Sequence, residues 1–473
     1  MTTIKLCSCY KKKIIELRER DTDNKIINKQ YKNNYQDKKV QKFKNGLFEN
    51  MKYRVSPRWK MFSNNLHYIH RHKTNAPRYT KPRTIIRTSN KYDKATKTTN
   101  VLNTRNQISF NTYPNNLEVK NYWKEIQYTT NDFENSILWG TKWVDFSSNE
   151  LTTLYYTINL GGVASGTQKS VNVPGVGIVN LINVNQNIID AIDTMMNDLT
   201  IFTNLTVQNV GTNVDGAYIS INFLDADTNS FDFLGIAMPP VNTNDQYYST
   251  DSVYTSLTDS FWASGNTYLA YKNGQDYSKG SFWYDVMLHE LGHSLGLSHP
   301  HDNGGNSTIM AGVTSAFGDF GTYNSNMQPI TCMSYNDNNS PILQETINGT
   351  SSGYMGTYGP LDIEALQYMY GVNLNYNSTD TTYTFSNNTT NKYWSCIYDR
   401  GGVDTIDASQ AGANTIINLQ NSSLENNTEY AGVKFSYDIF GGITIAKSSG
   451  TIENVIGSAY NDNITGNEVN NEI

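Results

Sequence analysis

Seven histidines stand in a chain of 473 residues, and three of them fall in one stretch, HELGHSLGLSHP, at positions 289, 293 and 299. His289 and His293 are four apart, so on a helix both imidazoles project from one face, one turn from each other. Gly296 can take a backbone conformation that is costly for other residues, which lets the helix stop and swings His299 back toward the same point. Three neutral imidazoles with an open fourth position are the ligand set of a catalytic zinc rather than a structural one. Glu290 follows the first histidine and faces that open position, where it can take a proton from metal-bound water. Zinc lowers the pKa of such a water to about 7 and polarises a carbonyl. Glu290 can then hand the proton to a leaving amine. The chemistry is hydrolysis of an amide bond. His301, close behind, reads as an exposed loop histidine, with an extra ligand role as the alternative.

A second cluster offers hard oxygen ligands. Asp399–Asp404 reads DRGGVD. Asp399 and Asp404 supply carboxylates, while Gly401 and Gly402 let the backbone fold tightly with carbonyls inward, which suits Ca²⁺.

The elements that must position these residues follow from periodicity. Leu154–Leu160 reads as a strand. Ile188, Ile192, Met195, Met196 and Leu199 recur at helical spacing, the stripe of a helix packed on a sheet. In Gly216–Asp225, Ile219, Ile221 and Phe223 alternate with polar residues, a strand pattern. Strand, long helix, strand and a second helix imply an α/β layer structure, with order beginning near Ile137-Leu138-Trp139. After Gly371, short apolar runs are separated by Asn, Gly, Ser and Asp and helical periodicity ends, so an all-β module is expected from about 373.

Charge divides the chain further. Residues 1–100 hold 26 of the 37 Lys+Arg but 7 of the 43 Asp+Glu, while the remainder carries a net charge of −25. Residues 1–115 lack the apolar content to offset chain entropy and read as a mostly disordered basic tail or propeptide. The stretch RHKTNAPRYTKPRTIIR within it suggests a nucleic-acid or other anionic partner as a further reading. The start, MTTIKLCSCYKKK, has no apolar core of the kind a classical secretory signal requires. No apolar run is long enough for a membrane-spanning helix. Four cysteines make no disulfide framework, and Cys332 and Cys396 could pair or stay free.

HELGHSLGLSHP resembles the metzincin zinc-protease signature, specifically its serralysin branch, where Pro follows the third His. TCMSY (331–335) resembles the Met-turn, lying so that Met333 is 34 residues beyond His299. GYMGTYGPLDIEALQYMYG (353–371) resembles the helix that closes the serralysin catalytic domain. The resemblance implies a twisted, mainly parallel sheet with an active-site helix over 116–372, then a β-roll-like module over 373–473. It implies one zinc held by His289, His293 and His299, with Glu290 as general base and then proton donor. Tyr335 would be a swinging fifth ligand that later stabilises the oxyanion, and Met333 an apolar floor. FLDADTNSFDFLGIAMPP (223–240) resembles the edge strand that receives substrate backbone. IYDRGGVDTIDAS and GTIENVIGSAYNDNITGN resemble the serralysin C-terminal region, making Asp399, Gly401, Gly402, Asp404, Thr451 and Glu453 ligands of one or two calcium ions. The family's glycine-rich nonapeptide repeat is reduced to GSAYND (457–462), so a full row of calcium ions is not expected. NSTDT (377–381) also replaces a family stretch that begins with Arg. The function so implied is a secreted, monomeric zinc endopeptidase acting on proteins or peptides. The alternatives are a catalytically lapsed binding or structural protein on the same scaffold, or an intracellular or particle-associated chain acting on nucleic acid through its basic tail.

Overall fold

The computed structural model describes residues 122–473 apart from 146–147, 149, 162–168, 174, 241–260, 262, 337–352, 386–392 and 439–440. The expectations for the basic tail, residues 1–115, lie outside the described residues. The chain enters through β1 (Trp123–Glu125), α1 (Asp132–Ile137) and β2 (Thr141–Trp143), with β1 and β2 antiparallel. Order therefore begins before the apolar cluster at Ile137. Asn131 caps α1 by accepting from the Phe133 and Glu134 N–H groups, and Phe133 through Ile137 are buried. A helix this short shows no periodicity in sequence, and only its cap and its burial hold it.

Next come β3 (Thr153–Asn159), the β4–β5 hairpin (Ser170–Val173, Gly177–Asn180) and α2 (Gln186–Phe202). They are followed by β6 (Thr206–Thr212), β7 (Ile219–Asp225), β8 (Gly235–Ala237) and β9 (Asn266–Tyr271). The sheet runs β6-β3-β7-β9-β8, parallel except for the antiparallel edge strand β8. The apolar stripe of α2 is buried as its spacing requires, from Ile188 to Phe202. Each such side chain contributes about 1.5–3 kcal/mol. β7 departs from a one-faced pattern: Ser220 and Asn222 are buried together with Ile219, Ile221 and Phe223. A central parallel strand is covered on both faces. Its polar side is tolerated because Asn222 donates to Thr267 O at 3.1 Å and accepts from Asn159 at 2.9 Å.

α3 (Phe282–Leu295) crosses beneath this sheet, capped by Ser281, and is buried almost all round. Trp143 of β2 donates from Nε1 to Ser294 O at 2.8 Å, fixing the far end of α3. β10 (Tyr354–Met355) and α4 (Pro360–Tyr370) follow, and α4 occupies the second half of the 353–371 stretch.

Beyond α4 the described residues are strand and turn, with one short 3-10 turn at Glu429–Gly432: β11 (Thr382–Thr384), β12 (Tyr393–Ile397), β13 (Thr405–Asp407), β14 (Ile416–Asn418), β15 (Phe435–Asp438), β16 (Gly441–Ile445), β17 (Asn454–Ile456) and β18 (Asn463–Thr465). They form a parallel sheet β11-β13-β17 and a six-stranded sheet β10-β12-β16-β15-β14-β18. A cluster of Ile397, Ile406, Ile417, Leu419, Ile445 and Val455 fills the space between. The largest core runs from Phe133 through Met287 and Met369 to Trp394, Phe435 and Ala446, so it passes across residue 372. Among the described residues no helix is long and apolar enough to cross a membrane.

Candidate metal centre

α3 puts His289 and His293 on one face, their ring centroids 4.8 Å apart. The helix stops at Gly296, whose φ of 105° is left-handed and whose Cβ, if it had one, would stand 2.6 Å from Thr141 O. Only glycine satisfies both conditions. The turn brings His299 back, so that its Nε2 lies 3.1 Å from His289 Nε2 and 2.9 Å from His293 Nε2. Each ring is oriented from behind. Nδ1 of His289 donates to Cys332 O at 2.8 Å, Nδ1 of His293 to Leu297 O at 2.9 Å, and Nδ1 of His299 to Asp302 Oδ2 at 2.9 Å.

With every Nδ1 carrying its proton, three Nε2 lone pairs face one another in a buried space. That arrangement is repulsive unless a cation shares them. Four ligands around zinc at about 2.0–2.1 Å leave nitrogens about 3.3 Å apart, close to the spacing seen here. Burial, reinforced by the neighbouring imidazoles, holds His289 well below the ordinary histidine range and lowers His293 to about 3. Both rings are thus neutral near pH 7, the form that ligates a metal. Donor type, tautomer and spacing fit a zinc ion.

Glu290 is 7% exposed, and burial alone pushes its carboxyl up to about 8. A residue without an assigned role in the sequence explains how tightly it is enclosed. A Cβ on Gly235 of β8 would stand 2.4 Å from Glu290 Cγ, so the edge strand passes over the carboxylate only because position 235 has no side chain. The sequence signal was a glycine inside an edge-strand pattern, which marks close approach.

Met333 is fully buried, and a Cβ on Gly292 would meet its Sδ at 2.7 Å, so the sulfur packs against the α3 backbone between the two helix histidines. Asp362 of α4 holds this turn in place. It accepts from Thr331 Oγ1 at 2.6 Å, Cys332 N at 2.8 Å and Gly359 N at 2.8 Å. One carboxylate therefore caps α4 and aims the Cys332 carbonyl that orients His289. Cys332 is buried and Cys396 half-buried, and both thiols are free.

Tyr335 lies among rings: His299 at 4.8 Å, His289 at 5.6 Å and Phe317 at 5.3 Å between centroids. His301 corrects the sequence reading. It is no exposed loop histidine, for its side chain is 7% exposed and stacks on His299. The loop folds back after Pro300, with Met310 N donating to Pro300 O, and a spacing argument has no access to that fold-back. Among the described residues, convergent sets of metal-capable side chains are His289–His293–His299 and His299–His301–Asp302.

The acidic cluster is organised by the 377–381 stretch. Asp399 and Asp404 are fully buried. Asp399 accepts from Asn377 Nδ2 at 2.7 Å, Gly401 N at 3.0 Å and the Tyr383 hydroxyl. Asp404 Oδ1 accepts from Thr381 N at 2.9 Å, while its Oδ2 is buried without a hydrogen-bond partner. Burial, then the Asp399 and Glu453 charges, push the Asp404 carboxyl up to about 6. Glu453 accepts from Asp404 N at 2.8 Å and from Thr451 Oγ1 at 2.6 Å. Gly402 lies against Thr379, where a Cβ would stand 2.5 Å from the carbonyl carbon. A buried carboxylate oxygen with no donor, beside two further carboxylates, fits a hard cation. These carboxylates are less tightly convergent than the histidines. In the reduced repeat, Asp462 is occupied by Thr415 and Ser458.

Residues 179–319 match the family model for Matrixin, and residues 361–471 match that for Peptidase M10 serralysin C terminal. The chain belongs to the M10 peptidases, in their serralysin branch. The Met333–Tyr335 turn falls between the two matched regions. Among curated serralysin-branch relatives, Metallopeptidase AprA of Pseudomonas marginalis is 33% identical over 226 residues, covering 45% of this chain and 43% of that protein. Serralysin A of Dickeya chrysanthemi is 31% identical over 230 residues, 46% of this chain and 42% of its own length. Serralysin of Proteus mirabilis is 30% identical over 208 residues, 41% and 37%. The chain thus spans less than half the length of the curated relatives it matches.

Proposed function

We propose that this chain is a zinc-dependent metalloendopeptidase that hydrolyses peptide bonds in proteins. The observation that carries the reading is the convergence of three Nε2 atoms, those of His289 and His293 lying 3.1 and 2.9 Å from that of His299, each ring locked from behind through Nδ1. His289, His293 and His299 hold one zinc, with Gly296 turning the chain so that the third can reach. Zinc bound there supplies Lewis acidity toward the scissile carbonyl and toward water.

Glu290, buried beside the histidines, accepts the proton of the attacking water and delivers it to the departing amine. Its raised proton affinity suits the second half of that task. Tyr335 donates its phenolic O–H to the oxygen on which charge develops. Met333 closes the site from below. Substrate backbone adds to β8, the edge strand among the described residues, antiparallel strand against strand, which carries the scissile bond past Gly235 to Glu290.

Asp399, Gly401, Gly402, Asp404, Thr451 and Glu453 hold structural calcium in a module taken from residue 373 onward, with the protease region spanning 116–372. The protein acts as a monomer outside the cell.

The test is cleavage of casein by the purified protein. Activity should vanish with phenanthroline and in Glu290→Ala, a loss of about 10²–10⁴-fold, while that variant keeps one zinc per chain. Stoichiometric zinc with no cleavage of any protein substrate would instead favour a lapsed scaffold.

A further inference from the structure

The reaction described above does not use His301, yet its imidazole is buried. Hydrogen bonding does not account for the burial: Nδ1 has no partner, and Nε2 stands 3.9 Å from Asp302 Oδ2, beyond hydrogen-bond length. What the ring does is stack. It lies on His299 with centroids 4.7 Å apart and planes 17° from parallel. It also meets Tyr335 at 4.4 Å, closer than Tyr335 comes to His299, Phe317 or His289, so that His299, His301 and Tyr335 close a triangle of rings. Tyr335 meanwhile keeps 37% of its surface exposed, so solvent is open to it as an alternative resting place.

We propose that His301 is a positioning residue for Tyr335: its imidazole is a wall that keeps the phenol ring over the metal-facing histidines and out of solvent. The inference rests on the reading of Tyr335 as a phenol that addresses the metal and the oxyanion. His301 itself touches neither. An aromatic contact of this kind shifts the population of a side-chain position by about two- to tenfold.

The test uses the full-length protein with Cu²⁺ in place of zinc, in wild type, His301→Gly and His301→Phe, with Tyr335→Phe as control. Tyrosinate-to-copper charge-transfer absorption reports the fraction of Tyr335 on the metal. The expected result is a band in wild type, retained in His301→Phe and reduced about two- to tenfold in His301→Gly at equal copper content. In the zinc forms, kcat of His301→Gly should fall by a similar factor with KM unchanged, and His301→Phe should restore it. Should the glycine variant fail to fold, His301→Ala carries the same comparison. An undiminished band in His301→Gly overturns the proposal, as does equal loss in the Gly and Phe variants, which would make the ring nitrogens the operative feature. A wild-type protein without the band removes the Tyr335 reading itself, a different failure from a band that ignores position 301.

Discussion

Glu290 meets bare backbone where β8 passes it, because any side chain at position 235 would begin 2.4 Å from its Cγ. Gly235→Ala should therefore push the carboxylate aside without touching His289, His293 or His299. A displacement of about 1 Å in a catalytic group costs up to about 100-fold in rate. Steady-state kinetics should show kcat/KM down by about ten- to a hundredfold at unchanged zinc content, and an unchanged kcat/KM would mean that β8 or Glu290 yields freely. His289, Glu290, His293, Gly296 and His299 were all legible in the sequence because helix spacing and the glycine stop that follows bring them together within eleven residues. Gly235, Asp362 and His301 were not. Their roles depend on an edge strand crossing a helix, on α4 meeting a turn, and on a loop folding back, and each of those contacts is between segments that sequence spacing does not relate.

At the scale of elements, α4 and the Thr331–Met333 turn share one carboxylate. Burial raises Asp362 to about 6, against 3.8 ordinarily, despite its three hydrogen bonds. The folded chain therefore prefers the protonated form. The resulting penalty is absent below the unfolded value, grows as pH rises from 3.8 and is complete above 6. It amounts to about 3 kcal/mol. Asp362→Asn removes this titration. In metal-free protein, the stability of wild type relative to Asp362→Asn should fall by about that amount between pH 4 and pH 7, read from denaturant midpoints. A pH-independent difference would refute the raised value. Asp362→Ala, which strands the Cys332 and Gly359 N–H groups, should cost about 2–4 kcal/mol and weaken zinc retention. Measured against these contacts, α2, β3 and β7 were readable because their apolar period is strong. α1 was hidden by its brevity, and the burial of both faces of β7 by a polar face that finds partners only once β3 and β9 are alongside.

Across the whole molecule, β10, which precedes α4, pairs with β12, which follows it, and a common core joins Met287 to Trp394 and Phe435. The change in sequence texture after Gly371 marks where helices end, and the packing continues through it. Loosening the acidic cluster should therefore be felt at the histidines. Removing calcium with EGTA should lower the melting temperature of the zinc-loaded protein, reversing on calcium addition. At a hundredfold excess over Kd, calcium stabilises by about 2.7 kcal/mol. Asp404→Ala should abolish the response, and a melting temperature indifferent to both EGTA and the substitution would remove calcium from the account. His289, His293 and His299 are proposed to share one zinc ion. X-ray absorption at the zinc edge of the purified Glu290→Ala protein reads that shared ion. The expected spectrum is one zinc per chain in a shell of three imidazole nitrogens at about 2.0–2.1 Å with a further light ligand, and that shell is lost in His293→Ala. Substoichiometric zinc, a sulfur-containing shell, or a spectrum untouched by His293→Ala would contradict it.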